Sequence, residues 1–334
     1  MDESYPEKGL DADAALKLQE RFNAELKYYI ATNSPAQTPS QNDRRGRHYC
    51  SAARPVAVTG VVYEQDGRNW IKASKMEPVR LKYPDKMMAP DKPFVMPDGE
   101  PLILKVDDKL SIKCIKVPAG KALLGAPFYV ATRYQEEYPR LVTLTKSFYL
   151  AEIPVTQEIW EKVMGSNPST LKDPQLPVQN PLFPDVDKFC QLLSEKTGRK
   201  VRLPTAAEWE YAARVGTSNP GFAEKYKDQN SAGIQGWKAV LPVKSKQPNA
   251  WGLYDMVSCW WEVTGDFAKY PSRQPEVDPK YPAVGSGKRT AMGVAKENWS
   301  LSIREFDNEH GLGYTSNKIR LAVDADEGTA APKP

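Results

Sequence analysis

The side chains best suited to metal or covalent chemistry are few in this chain and stand apart. The four cysteines occur singly, and none forms a CxxC pair: Cys50, Cys114, Cys190 and Cys259. This spacing argues against a zinc or thioredoxin-type centre. With only His48 and His310, a three-histidine centre is excluded by number. No nucleophile motif stands near either histidine, so a Ser–His–Asp triad is not indicated.

A second group of polar side chains lies in "RLPTAAEWEYAARVG", residues 202–216. Thr205 and Glu208 have the spacing of a capping box, and Pro204 prevents the helix from extending backward. Gly216 stands where a C′ glycine would end it. The stretch therefore predicts a capped amphipathic helix of about ten residues. We interpret its glutamates as scaffold rather than as catalytic groups.

Length and composition favour a large, loop-rich protein. The 334 residues allow one large or two ordinary domains, and the formal net charge is only +4. Such a balance does not indicate a nucleic-acid binder, which needs a clustered basic face. No apolar run approaches the roughly 18–20 residues of a membrane span. Twenty-nine prolines and 10% aromatic residues are typical of irregular loops held by aromatic anchors.

The first hundred residues predict two small elements joined by linkers. Residues 1–50 are interpreted as an amphipathic helix over 11–31 and a polar linker. Residues 51–110 are interpreted as a small β element followed by a proline-rich linker. Valines on one side of Asp66-Gly67, and Trp70 and Ile71 on the other, predict a hairpin.

The order of predicted strands and helices from residue 111 to 325 is that of one α+β domain, which is followed by a tail over 326–334. Two strand pairs are predicted first, over "LSIKCIKVPAGKALLGAP" and "PRLVTLTKSFYLAEIPVT". Thr156 is expected to cap a helix that ends at Gly165, and a second helix over roughly 185–196 is expected to end at Gly198. The helix after Thr205 is the third, and no long helix is expected after residue 217.

Several motifs in this region occur together and in order: "VPAGKALLG", "SFYLAEIPVTQEIWEKVMGSNPS", the stretch from Leu176 to Gly216, "PNAWGLYDMVSCWWEVTGD" and "KIRLAV". On these motifs residues 111–325 resemble the formylglycine-generating enzyme family, also called sulfatase-modifying factor domains. The resemblance implies a variant of the C-type lectin fold, here with an N-terminal helix and a small β extension. It also implies that "RLPTAAEWEYAAR" is framework, because enzymes and non-enzymes of the family share it.

The family's oxidases resemble copper enzymes that use two cysteines about five residues apart, after a "GGS"-like motif. Two soft thiolates suit Cu(I). Here residues 288–323, the corresponding segment, contain no cysteine, and Ala291-Met292-Gly293 replaces the "GGS". The two thiolate positions fall near Lys296 and Leu301. We therefore expect no copper and no catalytic residue, and the alternative is a formylglycine-generating oxidase or a related oxidoreductase.

The resemblance also implies a structural calcium ion at "WGLYDMVSCWWEVTGD". Asp255 and Glu262 would supply side-chain oxygens, while Ser258 and Trp260 would supply backbone carbonyls. Hard oxygen ligands of this kind suit Ca²⁺. The alternative is that the two carboxylates bind backbone N–H groups and fix the loop without metal.

The late loops are expected to carry a recognition surface, because they lie where the family's enzymes keep their cleft. Aromatic and arginine side chains are frequent anchors of binding sites. The candidates are Trp299, Arg304, Phe306, Asn308 and His310.

The sequence thus predicts a non-catalytic binding or assembly module outside the cytoplasm, in the cell envelope or secreted. It would bind a protein partner or join a surface assembly, and a glycan is the second ligand class. The surface would be the late loops or the N-terminal extension.

Overall fold

The fold is described from a computed structural model of the chain. It describes residues 56–65, 68–78, 97–125, 137, 140–179, 181–216, 241–256, 261–267, 269, 271, 274–282, 288–293, 303–307 and 317–325. The predicted helix over 11–31, the linkers on either side of the hairpin and the tail lie outside these residues. Within them, no helix has the length and apolar character needed to cross a membrane.

The predicted hairpin is present. Strand β1 (Val56–Gln65) pairs antiparallel with β2 (Arg68–Pro78), and the register shifts between Thr59 and Gly60. The two strands form a sheet of their own. Because an isolated two-stranded sheet is marginally stable, this element needs a covering surface to persist.

The remaining elements form an α+β array with three further sheets. In chain order they are β3 (Leu102–Lys105), β4 (Ser111–Val117), β5 (Gly120–Leu124), β6 (Arg140–Leu144), β7 (Phe148–Ala151), α1 (Gln157–Met164), α2 (Phe183–Thr197), β8 (Val201–Arg202), α3 (Ala206–Ala213), β9 (Trp261–Phe267), β10 (Glu276–Val277), β11 (Arg289–Gly293), β12 (Ile303–Asp307), β13 (Asn317–Ile319) and β14 (Ala322–Asp324).

The three sheets join segments that lie far apart in the chain. The five-stranded sheet has the order β3-β4-β7-β14-β8, so β14 lies between β7 and β8. A four-stranded sheet has the order β12-β11-β9-β13, and a three-stranded sheet has the order β10-β6-β5. Strand β3 pairs antiparallel with β4, so the sheet begins within the segment that the sequence assigned to a linker.

The first two helices agree with the sequence. The Thr156 hydroxyl accepts a hydrogen bond from the Ile159 N–H, and α1 ends at Gly165 in the left-handed region. Helix α2 ends at Gly198 in the same conformation. A glycine is favoured at both ends because it adopts positive φ without a steric penalty.

Helix α3 differs from its prediction in two ways. The capping box of Thr205 and Glu208 is present, but the helix ends at Ala213 because the backbone at Val215 already has positive φ (48°). The helix is also buried on every side rather than amphipathic. Two buried or nearly buried glutamates are tolerated there because each faces an arginine, as described below.

Two apolar clusters fill the space between these layers. One surrounds α3 with the three-stranded sheet and Trp251. The other packs α1 and α2 against the five-stranded sheet, where the Trp160 and Phe189 rings stack with centroids 4.9 Å apart. Cys114 and Cys190 belong to this second cluster.

Candidate functional site

A buried carboxylate at the junction of the four-stranded sheet and α3 organises the most highly charged part of the interior. Glu262 lies on β9 and is almost completely buried. Its Oε2 accepts a hydrogen bond from the Trp209 indole Nε1, 2.6 Å away. A strand and a capped helix thus meet at one acid, which must be neutralised to remain buried.

Arg320 supplies most of that neutralisation. Its Nε lies 2.8 Å from Glu262 Oε2 and its Nη2 lies 2.9 Å from Oε1, a bidentate pair. Its remaining N–H groups reach backbone carbonyls: Ala151 and Glu152 accept from Nη1, and Tyr254 accepts from Nη2. The guanidinium therefore joins β7, the loop before β9, and β9 itself.

Lys318 is the second cation at the same carboxylate. Strand β13 runs parallel to β9 with Lys318 directly opposite Glu262. The Lys318 Nζ lies 3.3 Å from Glu262 Oε1 and donates to the backbone carbonyl of Asp255 at 3.2 Å. The ammonium thus connects the loop that contains Asp255 with strand β9.

These contacts determine the protonation state of Glu262. Burial alone would raise the pKa of its carboxyl, but Arg320, Lys318 and the hydrogen bond from Trp209 outweigh burial and lower the pKa to about 2. Glu262 is therefore an anion at neutral pH, and its charge is balanced from within the protein.

Asp255 takes part through its backbone as well as its side chain. Its φ is 59°, an uncommon value for a residue other than glycine, and Lys244 has φ 61°. Asp255 Oδ2 accepts a hydrogen bond from the Lys244 N–H at 3.0 Å. The strained pair is held against Glu152, whose carboxylate contacts the Lys244 ammonium. Backbone strain of this kind persists only where neighbouring contacts enforce it.

A surface cavity of about 260 Å³ lies beside this pair. Glu152 lies in its wall between the ammonium groups of Lys113 and Lys244. Because the carboxylate neutralises one of the two lysines, the cavity has no strong preference for an anion.

The predicted calcium ligands are only partly described. Ser258 and Trp260 lie outside the described residues, so the four-ligand site remains a prediction. The two described carboxylates already have partners: Asp255 Oδ2 accepts from the Lys244 N–H, and the Glu262 carboxylate faces Arg320 and Lys318. Within the described part of the chain, no three His, Cys, Asp or Glu side chains are grouped so as to hold a metal.

The predicted recognition surface is also partly described. Residues 304 and 306 lie on β12, an outer strand of the four-stranded sheet, opposite Met292 and Thr290 of β11. Trp299, Asn308 and His310 lie outside the described residues. The proximity of the five positions therefore stays a prediction.

Two of the four cysteines are enclosed in the core. Burial, reinforced by the nearby Glu152 carboxylate, raises the pKa of the Cys114 thiol to about 12. Burial, reinforced by Asp187, raises the pKa of the Cys190 thiol to about 12 as well. Both are free thiols. Because the thiolate is the metal-binding and nucleophilic form, neither suits a copper site or redox chemistry.

Sequence reasoning missed Lys318 and Arg320. The signal was present in "KIRLAV", where two cations alternate with apolar residues in a strand. Period-2 alternation places both cations on one face. Had that face been assigned to the interior, two buried cations would have required a buried acid.

The family "Sulfatase-modifying factor enzyme 1-like domain" matches residues 105–310. The "Formylglycine-generating enzyme" of Bos taurus is 29% identical over 153 residues, which are 41% of this chain and 39% of that protein. The "Inactive C-alpha-formylglycine-generating enzyme 2" of Bos taurus is 29% identical over 156 residues, 42% of this chain and 50% of that protein. The chain thus spans half or less of the length of these relatives.

A solved structure supports the architecture. "Treponema denticola variable protein 1" superposes with a TM-score of 0.58 at 23% identity, and the match covers 68% of this chain and all of the other. At this identity the likeness concerns the fold alone. It confirms the predicted α+β, C-type-lectin-like fold.

Proposed function

Since this chain belongs to the family of sulfatase-modifying factor enzyme 1-like domains, we propose that it is a non-catalytic member that binds a protein partner. The curated relatives include proteins named as active and as inactive formylglycine-generating enzymes. Membership therefore leaves both roles open, and the choice depends on the side chains of this chain.

The observation that carries the proposal is the placement of the cysteines. A Cu(I) site of the kind that the family's oxidases resemble needs two thiolates close together. Cys114 and Cys190 are buried in the core with pKa values of about 12. Neither of the other two, Cys50 and Cys259, lies in residues 288–323, the segment that corresponds to the family's paired cysteines.

The absence of oxidase activity is the first prediction. Purified protein, supplied with Cu(I) and oxygen, is expected to form no aldehyde on a cysteine-containing sulfatase peptide, as followed by mass spectrometry. The matched control is the C50S/C259S double variant, which should give the same background. The bovine relative named above, assayed in parallel, verifies the conditions. Aldehyde formation that disappears in the double variant would establish the alternative, a formylglycine-generating oxidase.

The partner-binding half of the proposal rests on the outer strand β12. In the described part of its sheet, β12 has one strand partner, β11. Its residues 304 and 306 belong to the segment in which the family's enzymes keep their cleft. Aromatic and arginine side chains are the commonest anchors of protein interfaces, and this segment combines Trp299, Arg304 and Phe306.

Site-specific cross-linking tests this surface, and is the second prediction. A photoreactive amino acid at position 304 or 306 is expected to give a discrete protein adduct in the native source. The same group at Val277, which is 64% exposed on β10, serves as the control and should give none. Adducts that form only from Leu16 or Leu26 would place the interface on the N-terminal segment instead. If no position gives an adduct, the partner is not a protein, and a glycan becomes the ligand class to assay.

A further inference from the structure

A cation of the protein itself, Lys318, lies at the predicted calcium loop. Lys318 Nζ contacts Glu262 Oε1 at 3.3 Å and the Asp255 carbonyl at 3.2 Å. These are a carboxylate oxygen and a backbone carbonyl, the two oxygen types that hold Ca²⁺ in proteins. Both come from the stretch that the sequence associates with the metal. The ammonium is almost completely buried with them.

The pairing of strands fixes the ammonium at this point. Lys318 lies opposite Glu262 in the parallel register of β13 and β9, and its neighbours Asn317 and Ile319 pair with Trp261 and Val263. Because a one-residue slip would carry Lys318 to the other face of the sheet, the register itself places the charge. The ammonium is therefore built in rather than supplied by a mobile surface side chain.

The local charge leaves no need for a metal. One carboxylate, Glu262, faces two cations, Lys318 and Arg320. A divalent ion bound to the same oxygens would lie next to both cations in a buried setting, where repulsion is screened little. One oxygen of the second carboxylate, Oδ2 of Asp255, accepts a hydrogen bond from the N–H of Lys244.

We propose that the Lys318 ammonium takes the place of a divalent cation, joining the Asp255 loop to Glu262, so that this part of the domain does not depend on calcium. Removing the ammonium should then convert the loop into a cation site, because it would free the Asp255 carbonyl and one oxygen of Glu262. This inference concerns the stability of the scaffold and is independent of the partner proposed above.

The test is the calcium response of Lys318→Ala relative to the unmodified chain. In EDTA, the melting temperature of the variant is expected to fall by about 10 °C, because a buried ion pair has lost one member. Millimolar Ca²⁺ should restore several degrees in the variant by binding the native state. Lys113→Ala is the matched control: it removes a lysine that is 45% exposed and paired with Glu152. It should not increase the response to calcium.

A local probe separates this loop from any other cation site in the chain. Tb³⁺ luminescence excited through tryptophan should appear in Lys318→Ala, because Trp209 is hydrogen-bonded to Glu262. It should be lost again in the K318A/E262Q double variant.

If Lys318→Ala folds only with Ca²⁺ present, the proposal is supported. If it folds in neither condition, Lys318→Gln, which removes the charge and keeps much of the length, takes its place. Equal calcium and Tb³⁺ responses in the unmodified and substituted chains would overturn the proposal.

Discussion

Arg320→Lys is expected to lower the free energy of unfolding by about 4 kcal/mol, although it preserves the charge. The Arg320 guanidinium donates to both oxygens of Glu262 and to three backbone carbonyls, those of Ala151, Glu152 and Tyr254. A lysine ammonium has three donors and lacks the planar fork, so at least two of these five buried hydrogen bonds would be lost.

Urea unfolding followed by tryptophan fluorescence measures this loss. Arg202→Lys is the matched control, since Arg202 also pairs with two carboxylates, those of Glu208 and Asp324, but its side chain is 20% exposed. We expect it to cost about 1 kcal/mol, because water can replace part of the lost contacts. If the two variants lose equal stability, Arg320 is not the central connection that its hydrogen bonds indicate.

Glu210→Gln is expected to cost about 3 kcal/mol. The Glu210 and Arg214 side chains are completely buried, Glu210 on α3 and Arg214 directly after it, with Arg214 Nη2 2.7 Å from Glu210 Oε1. The pair also holds both backbone polar groups of Gly125: Glu210 Oε1 accepts from the Gly125 N–H, and Arg214 Nη2 donates to the Gly125 carbonyl. The amide of glutamine preserves the shape and an acceptor for Gly125, but removes the negative charge that faces Arg214 Nη2.

A double-mutant cycle identifies the charge as the cause. Arg214→Met should be as destabilising as Glu210→Gln, because it leaves a buried carboxylate unbalanced. The double variant should lose clearly less than the sum of the two, since neither charge then remains. Additive losses, measured by the same urea titrations, would show that the two side chains act separately, through their contacts with Gly125 and other neighbours.

Local signals in the sequence were sufficient for the helix starts and the hairpin. Helix caps depend on hydrogen bonds within four residues, so those formed by Thr156 and by the pair Thr205 and Glu208 can be predicted without knowledge of the rest of the fold. The end of α3 could not be predicted from the sequence, because Val215 takes a backbone conformation that its own side chain disfavours and that the surrounding core imposes.

The charged centre depends on contacts between distant segments. Glu262 meets Trp209, 53 positions earlier, and Arg320, 58 positions later. Neither periodicity nor spacing specifies such pairs. The resemblance to known proteins selected Asp255 and Glu262 as functional oxygens, but it could not show that Lys318, placed by the pairing of β13 with β9, would contact both residues.

The position of the last strand has a consequence for synthesis of the protein on the ribosome. Strand β14 lies between β7 and β8, and Lys318 and Arg320 immediately precede it. Until residue 324 has emerged from the exit tunnel, the sheet has a gap, and Glu262 is without both of its cations. The nascent domain must therefore wait for nearly all of its residues before it can close. During that interval its unpaired strand edges are available to chaperones, and a chain truncated before β14 would lack the strand that joins β7 to β8.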